Sequence, residues 1–243
     1  MSELAKQGPA MIARPAREAT KMAEQSYAPQ SYAQSRSFLR ALANPWADKA
    51  LAILAVLPFV YPIVTHFQHQ FRLGEFIYLG QVLLLIGTMV FRRLPVRISS
   101  NLYYWVVAFL ASYWGLFLLS VEQPGRRLVT SPWILFTLYL LGVFMDVWGR
   151  VSLGRNIAML PAQRQIVERG AYRRVRHPIY TASFLILLGG ALGAYTLQNL
   201  VLYVLGAFWF VARSLAEEDF LRKDPAYEAY MKRVPSRWFP GLI

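Results

Sequence analysis

Residues 170–218 read GAYRRVRHPIYTASFLILLGGALGAYTLQNLVLYVLGAFWFVARSLAEE, and this stretch decides the fold. A basic loop, Gly170 to His177, leads into an apolar run at 179–197. A very short polar break, about Gln198-Asn199, separates that run from a second at 200–212, which is followed by Arg213, Glu217 and Glu218. Two apolar runs joined so tightly form an antiparallel helical hairpin. Both of its open ends face the same side, so the basic loop before His177 lies beside the acidic extension after Ala212.

Outward from the hairpin, further apolar runs occur at 50–66, 76–91, 102–121 and 132–148. The 243 residues are 56% hydrophobic and only 16% charged, with a mean hydropathy of +0.33. That is too apolar and too poor in acids for an ordinary soluble domain. The runs are continuous rather than alternating, and lipid admits only helices or closed barrels, so helices are expected. Several runs fall short of the roughly 20 residues that cross the hydrocarbon layer, so their helices must extend into flanking sequence. The expected fold is an all-α integral membrane protein of about six transmembrane helices. Gly142, Gly189, Gly190 and Gly193 suit close helix packing.

The basic residues give an orientation. With the N-terminus inside, every Lys and Arg except Arg72, Arg126 and Arg127 falls on the cytoplasmic side, out of 26 in the chain. The positive-inside rule then predicts an even number of spans and two cytoplasmic termini. A net charge of +13 would also suit nucleic acid, but such binders carry their charge on a soluble polar face rather than between apolar runs. Membrane lipid is the expected partner, and nucleic acid is not. Without cysteine there is no disulfide, thiolate nucleophile or cysteine-bound metal. His66 and His69 share a three-residue spacing, with Glu75 the one available carboxylate nearby, and no metal site is expected.

Three regions follow: a polar, flexible cytoplasmic tail at 1–45, a four-helix membrane region at 46–150, and a catalytic region at 151–243. Within the tail, 4–11 and 16–22 allow an amphipathic helix on lipid as an alternative to disorder. Asn44-Pro45-Trp46 supplies a breaker and an interfacial aromatic where the membrane part begins.

The residue before a proline is pushed out of the helical region, so His177 sits in extended backbone at the mouth of span five, and Pro178 opens the helix. Amides of that helix end then face Tyr180 and the arginines, a setting for an anionic group. The plain alternative is a basic loop at a cytoplasmic face, which needs no ligand. Arg213 and Glu217 are four residues apart and can pair on one helix face; Glu218 can pair with Arg222, and Asp146 with Arg150. Charges just beyond Phe208-Trp209-Phe210-Val211 sit at a depth where ionisable groups tend to be functional.

Arg176-His177-Pro178-x-Tyr180 preceded by Gly170-x-Tyr172, a helical hairpin, Arg213 with Glu217-Glu218, then Tyr227-x-x-Tyr230-x-x-x-Val234-Pro235 and Pro240 resemble the isoprenylcysteine carboxyl methyltransferase family, with its related phospholipid and thiol methyltransferases. The resemblance covers roughly 153–243. It implies S-adenosylmethionine as cofactor in a cytoplasmic pocket and a hydrophobic methyl acceptor, such as the carboxylate of an isoprenylcysteine-like substrate. Implied cofactor contacts are Arg164, Gln165, Ile166, Val167, Tyr172, His177, Pro178, Ile179, Tyr180 and Glu217, many of them through backbone. Arg213 would face the acceptor and Glu218 could take a proton from an amine. Many relatives carry a Phe-Gly pair before the first C-terminal tyrosine, whereas this chain has Arg222-Lys223-Asp224-Pro225-Ala226-Tyr227, which leaves the acceptor open. Two rival readings remain: an NADPH-dependent membrane reductase of the sterol-reductase type, which lacks its Lys-Tyr-Gly signature here, and a non-catalytic transporter or scaffold, whose polar groups belong at mid-membrane.

Overall fold

The structure is a computed structural model that describes residues 44–66, 73–118, 126–159 and 162–241. The helices are α1 (Pro45–His66), α2 (Leu73–Val90), α3 (Leu102–Leu118), α4 (Pro132–Leu153), α5 (Pro178–Gly193), α6 (Leu197–Leu221) and α7 (Pro225–Arg233). Each of the six apolar runs therefore contains a helix. Two helical stretches, Pro132–Asn156 and Leu197–Leu221, are long and apolar enough to cross a membrane, and Phe76–Val90, Leu102–Trp114 and Pro178–Gly193 are shorter apolar helices. Residues 1–43 of the expected tail, and His69, lie outside the described residues.

Starts and stops follow local chemistry. Proline occupies the first turn of α4, α5 and α7, where its missing N–H costs no helical bond. Asn44 Oδ1 accepts from the Trp46 amide (2.9 Å) at the entry to α1. Asp224 caps α7 through the Ala226 amide (2.9 Å).

The hairpin turn lies earlier than the polar pair Gln198-Asn199 suggests. α5 ends at Gly193 and α6 begins at Leu197, so the link is Ala194-Tyr195-Thr196. Thr196 is the N-cap: its hydroxyl accepts from the Asn199 amide (3.0 Å), and buried Asn199 donates back to the Ala194 carbonyl (2.8 Å). The polar pair is the first turn of the helix rather than its interruption. An isolated bridge between Arg126 and Tyr195 fastens the segment before α4 to this turn, at the hairpin's closed end.

Helices pack as α1 on α2, α3 on α6, α4 on α5, and α5 on α6. A Cβ at Gly142 would stand 2.7 Å from Ile186 Cγ1, and one at Gly190 would stand 2.8 Å from the Tyr203 ring. These glycines let α4 approach α5 and α5 approach α6. A two-residue antiparallel ladder, β1 (Arg97–Ile98) with β2 (Ala162–Gln163), pairs Arg97 with Gln163 and Ile98 with Ala162. It ties the segment after α2 to the segment after α4.

The distribution of polarity is inverted relative to a soluble domain. Ile53, Leu57, Leu83, Phe109, Phe144, Val204 and Phe208 are each more than half exposed. Asp48, Arg92, Asp146, Arg164, Arg176, His177, Arg213 and Glu218 are buried. An apolar outside around a polar interior fits association with lipid. Asp48 of α1 receives Nε and Nη2 of Arg92 at 2.8 and 2.7 Å, and Arg164 Nη2 reaches it at 3.5 Å. The positive-inside reading treats Arg92 only as a loop charge; here it is half of a buried clasp between α1 and the α2 exit.

Candidate functional site

A cavity of about 330 Å³ lies between the helices and the segments that join them, within the range of small-molecule sites. One wall carries Tyr172, His177, Ile179, Tyr180, Arg213 and Glu217; residues 164–167 form another; Phe59, Leu85, Met89 and Ala111 of α1, α2 and α3 add an apolar side.

Local structure explains how the polar wall is held. After α4, the chain turns at Gly154 and returns through Gly170, whose φ is +57°. A Cβ there would collide with the Ser152 side chain, which is fixed by donating to the Trp148 carbonyl (2.6 Å) and accepting from the Ala171 amide (3.1 Å). Gly170 begins a 3-10 turn, Gly170–Arg173, that presents Tyr172. The Tyr230 hydroxyl donates to the Tyr172 carbonyl (2.9 Å), so α7 props the turn from behind.

His177 has φ −129° and ψ 62°, outside the helical region, and caps α5 ahead of Pro178. Its amide donates to the Arg237 carbonyl (2.9 Å), and the Arg176 amide to the Ser236 carbonyl (3.0 Å). The amides of Tyr180 and Thr181 both return to the His177 carbonyl at 3.1 Å. Those two helix-end donors are therefore spent on the cap, which corrects the expectation that they face an anionic ligand.

Charge is organised around two adjacent carboxylates of α6. Glu218 is buried, outside the cavity lining, and its oxygens accept from Arg176 Nε (2.7 Å), His177 Nε2 (3.0 Å) and Arg237 Nη2 (2.8 Å). The i+4 pairing with Arg222 does not form; Arg222 turns to Asp219 instead. Arg176, His177 and Arg237 reach Glu218 from other segments on the inner face, whereas Arg222 is exposed and can offer only a solvated pair. A buried carboxylate with that many donors is an anchor rather than the accessible proton acceptor expected of it.

Glu217 lines the cavity with its side chain 31% exposed. Its Oε1 accepts from the Tyr180 hydroxyl (2.7 Å) and from Arg213 Nε (2.9 Å), the expected i+4 pair. Its Oε2 lies 3.9 Å from His177 Nδ1. Arg213 is fully engaged: Nη1 donates to the Ala108 carbonyl (3.3 Å) and Ser112 hydroxyl, and Nη2 to the carbonyls of Ala158 (3.1 Å) and Met159 (3.2 Å). Holding α3, α6 and the segment after α4 together, it can reach an acceptor only by exchanging one of these bonds.

Of the remaining sequence-predicted residues, Gln165, Ile166 and Val167 line the cavity, and Pro178 packs behind it, fully buried. Arg164 also lines it, but its Nε donates to the Arg93 carbonyl (2.6 Å) and Nη2 points to Asp48, so its charge serves the α1 clasp. Asp146 binds Arg150 Nε at 2.8 Å, as expected. Tyr172 and Tyr227 are held as neutral phenols: desolvation pushes both above the usual tyrosine range, followed by the charge of Glu217 for Tyr172 and of Glu218 for Tyr227.

Sequence reading saw Arg150 only as the partner of Asp146, whereas it also lines the cavity, with hydrogen bonds among the described residues from Nε alone; it gave no role to Arg237, which completes the Glu218 cage. Arg237 has no local signal, since its partner lies 19 residues away on another segment. The apolar wall from α1, α2 and α3 was likewise invisible, because those helices carry no motif.

These features define a helical, lipid-associated protein with a ligand-sized cavity walled by tyrosines, arginines and one accessible glutamate. Residues 131–228 match the phospholipid methyltransferase family, the family of the isoprenylcysteine carboxyl methyltransferase-like membrane enzymes that the motifs resemble. Over that stretch the chain is similar to membrane methyltransferases. It is also similar to the nickel-cobalt-cadmium resistance protein NccN of Alcaligenes xylosoxydans xylosoxydans, with 28% identity over 123 residues. The matched part makes up 49% of this chain and 57% of that protein, so the chain spans little more than half of that relative.

Proposed function

We propose that the protein transfers a methyl group from S-adenosylmethionine to an acceptor that partitions into the membrane, with the chemistry at the cytoplasmic face of a six-span bundle whose termini are both cytoplasmic. The observation that carries this reading is the convergence of Tyr172, His177, Tyr180, Arg213 and Glu217 on one cavity whose other side is apolar. The fit is chemical as well as spatial. Glu217 offers an accessible carboxylate to the cofactor's ammonium or hydroxyl groups, Arg150 offers a cation to its carboxylate, and the rings of Tyr172, Tyr180 and Phe210 offer apolar faces to adenosine. The bound cofactor supplies an electrophilic methyl on a sulfonium. The chain's part is to align that methyl with the incoming nucleophile and to exclude water.

The apolar side formed by Phe59, Leu85, Met89 and Ala111 suits the hydrophobic portion of the acceptor, of which an isoprenylcysteine-like thioether is one form. The metal resistance in that relative's name is not needed to explain these residues. Titration of the detergent-solubilised protein with S-adenosylhomocysteine tests the reading. Wild type should bind saturably, and Glu217→Gln should weaken binding about tenfold or more, as loss of a hydrogen bond to a charged group does. Binding of NADPH in place of S-adenosylhomocysteine would replace this reading with the reductase.

A further inference from the structure

We propose that His177 is a catalytic residue of this transfer, the group that takes the proton of the methyl acceptor, and that Glu218 is the positioning residue that holds it in the tautomer able to do so. The inference rests on the methyl-transfer reading above and narrows its acceptor.

The argument begins at Glu218. Its Oε1 accepts from Arg176 Nε at 2.7 Å, and its Oε2 from Arg237 Nε and Nη2 at 3.0 and 2.8 Å. A carboxyl group receiving these donors carries no proton, so the 3.0 Å contact to His177 Nε2 is a donation from the imidazole. In the tautomer proposed here Nε2 bears the only ring hydrogen and Nδ1 presents a lone pair. Glu217 Oε2 stands 3.9 Å from Nδ1, beyond hydrogen-bond reach. His177 is only 6% exposed yet lines the cavity, so a buried ring turns an uncommitted acceptor toward the site. The groups around it are Glu217 and Glu218 from α6, Tyr180 of its own helix with ring centroids 5.3 Å apart, and Arg176 and Arg237 through Glu218.

In the step, the acceptor's S–H or N–H gives its proton to Nδ1 as the sulfur or nitrogen bonds to the methyl carbon. The carbon–sulfur bond of the sulfonium breaks and its electron pair stays on that sulfur, leaving a neutral thioether. An ionised carboxylate needs no such base, and Arg213, the cation it would require, has all its donors engaged. The geometry therefore selects a neutral thiol or amine as the acceptor.

Two measurements on the full chain test this. The chain has three histidines, so a His66→Gln, His69→Gln variant leaves His177 as the sole imidazole for nitrogen-15 NMR. The expected spectrum is the Nε2–H tautomer; the Nδ1–H tautomer, or a cation throughout the active pH range, overturns the proposal. The second is methyl transfer to decanethiol, decylamine and decanoate. The thiol or amine rate should rise with pH along an acidic limb. His177→Gln keeps an N–H for Glu218 but has no base, and should lower kcat at saturating S-adenosylmethionine about 100-fold, within the span of general-base effects, and abolish the acidic limb. A kcat at saturating cofactor within about threefold of wild type, a retained limb, or preferred methylation of decanoate overturns the proposal. Failure of wild type to bind S-adenosylhomocysteine sinks the methyl-transfer reading itself, a separate outcome.

Discussion

The two faces of the cavity are built by different physics. The wall from α5, α6 and the C-terminal segment is a polar lattice: Arg176, His177 and Arg237 converge on Glu218, while Tyr180 and Arg213 converge on Glu217. The wall from α1 and α2 is apolar, with Ala52, Val56, Leu85 and Met89 packed on Ile157 and Met159 of the segment after α4. Directional bonds fix a small number of atoms closely, which is what aligning a reactive group demands. Apolar packing fixes shape and tolerates change of chemical detail. A single cavity can thus hold one partner rigidly and admit varied apolar partners opposite.

The sharpest way to break this comparison is Glu218→Ala. It leaves Arg176, His177 and Arg237 facing an empty site in the protein interior, and removing one member of a buried ionic network typically costs about 3–5 kcal/mol. The midpoint of thermal unfolding of the solubilised chain, with the folded yield, measures it. A shift no larger than that of a surface substitution would mean the lattice is ornament. Asp48→Ala asks the same question where the apolar region carries its own buried ion pair. The expected loss is smaller, about 2–3 kcal/mol, because Arg92 Nη2 also donates to the Asp48 backbone carbonyl (2.7 Å), which alanine retains. Unfolding midpoints for the two variants give the order directly, and a reversed order would move the stable core of the fold to α1 and α2.

The difference between the walls also marks what the sequence can express. Apolar runs long enough to be helices were legible, as were Arg213 with Glu217 and Asp146 with Arg150, because a helix places fourth neighbours together. Glu218 followed the same rule to the wrong partner: its cations arrive from Arg176 and Arg237, 42 and 19 residues away, and no periodicity encodes that distance. The hairpin turn was misjudged because hydropathy sees Gln198 and Asn199 as a break, while the Thr196 cap that starts the helix one residue earlier than Gln198 is a matter of hydrogen-bond geometry. The pair of Asp48 with Arg92 was hidden for the opposite reason, since the positive-inside rule already accounted for Arg92.

Gly170→Ala probes the joint between the regions. The substitution forces a side chain onto φ +57° and into Ser152, and a left-handed conformation alone costs about 1–2 kcal/mol. Since Tyr172 follows two residues later, S-adenosylhomocysteine affinity should fall together with the unfolding midpoint. A fall in stability with affinity unchanged would detach Tyr172 from the cofactor.

The smallest effect is expected on α7. Glu228 and Lys232 pair at 3.2 Å with side chains 57% and 77% exposed, and such i,i+4 pairs contribute only a few tenths of a kcal/mol. What holds α7 is its inner face, where Tyr227, Tyr230 and Val234 cluster with Ile166 and Leu221 and the Tyr230 hydroxyl reaches the Tyr172 carbonyl. Glu228→Ala should therefore leave both the unfolding midpoint and S-adenosylhomocysteine affinity within error of wild type, while Tyr230→Phe lowers affinity by releasing the turn that carries Tyr172. If Glu228→Ala instead weakens binding as much as Tyr230→Phe, the outer charge of α7 positions the tyrosines, and the polar wall extends through the helix to its solvent face.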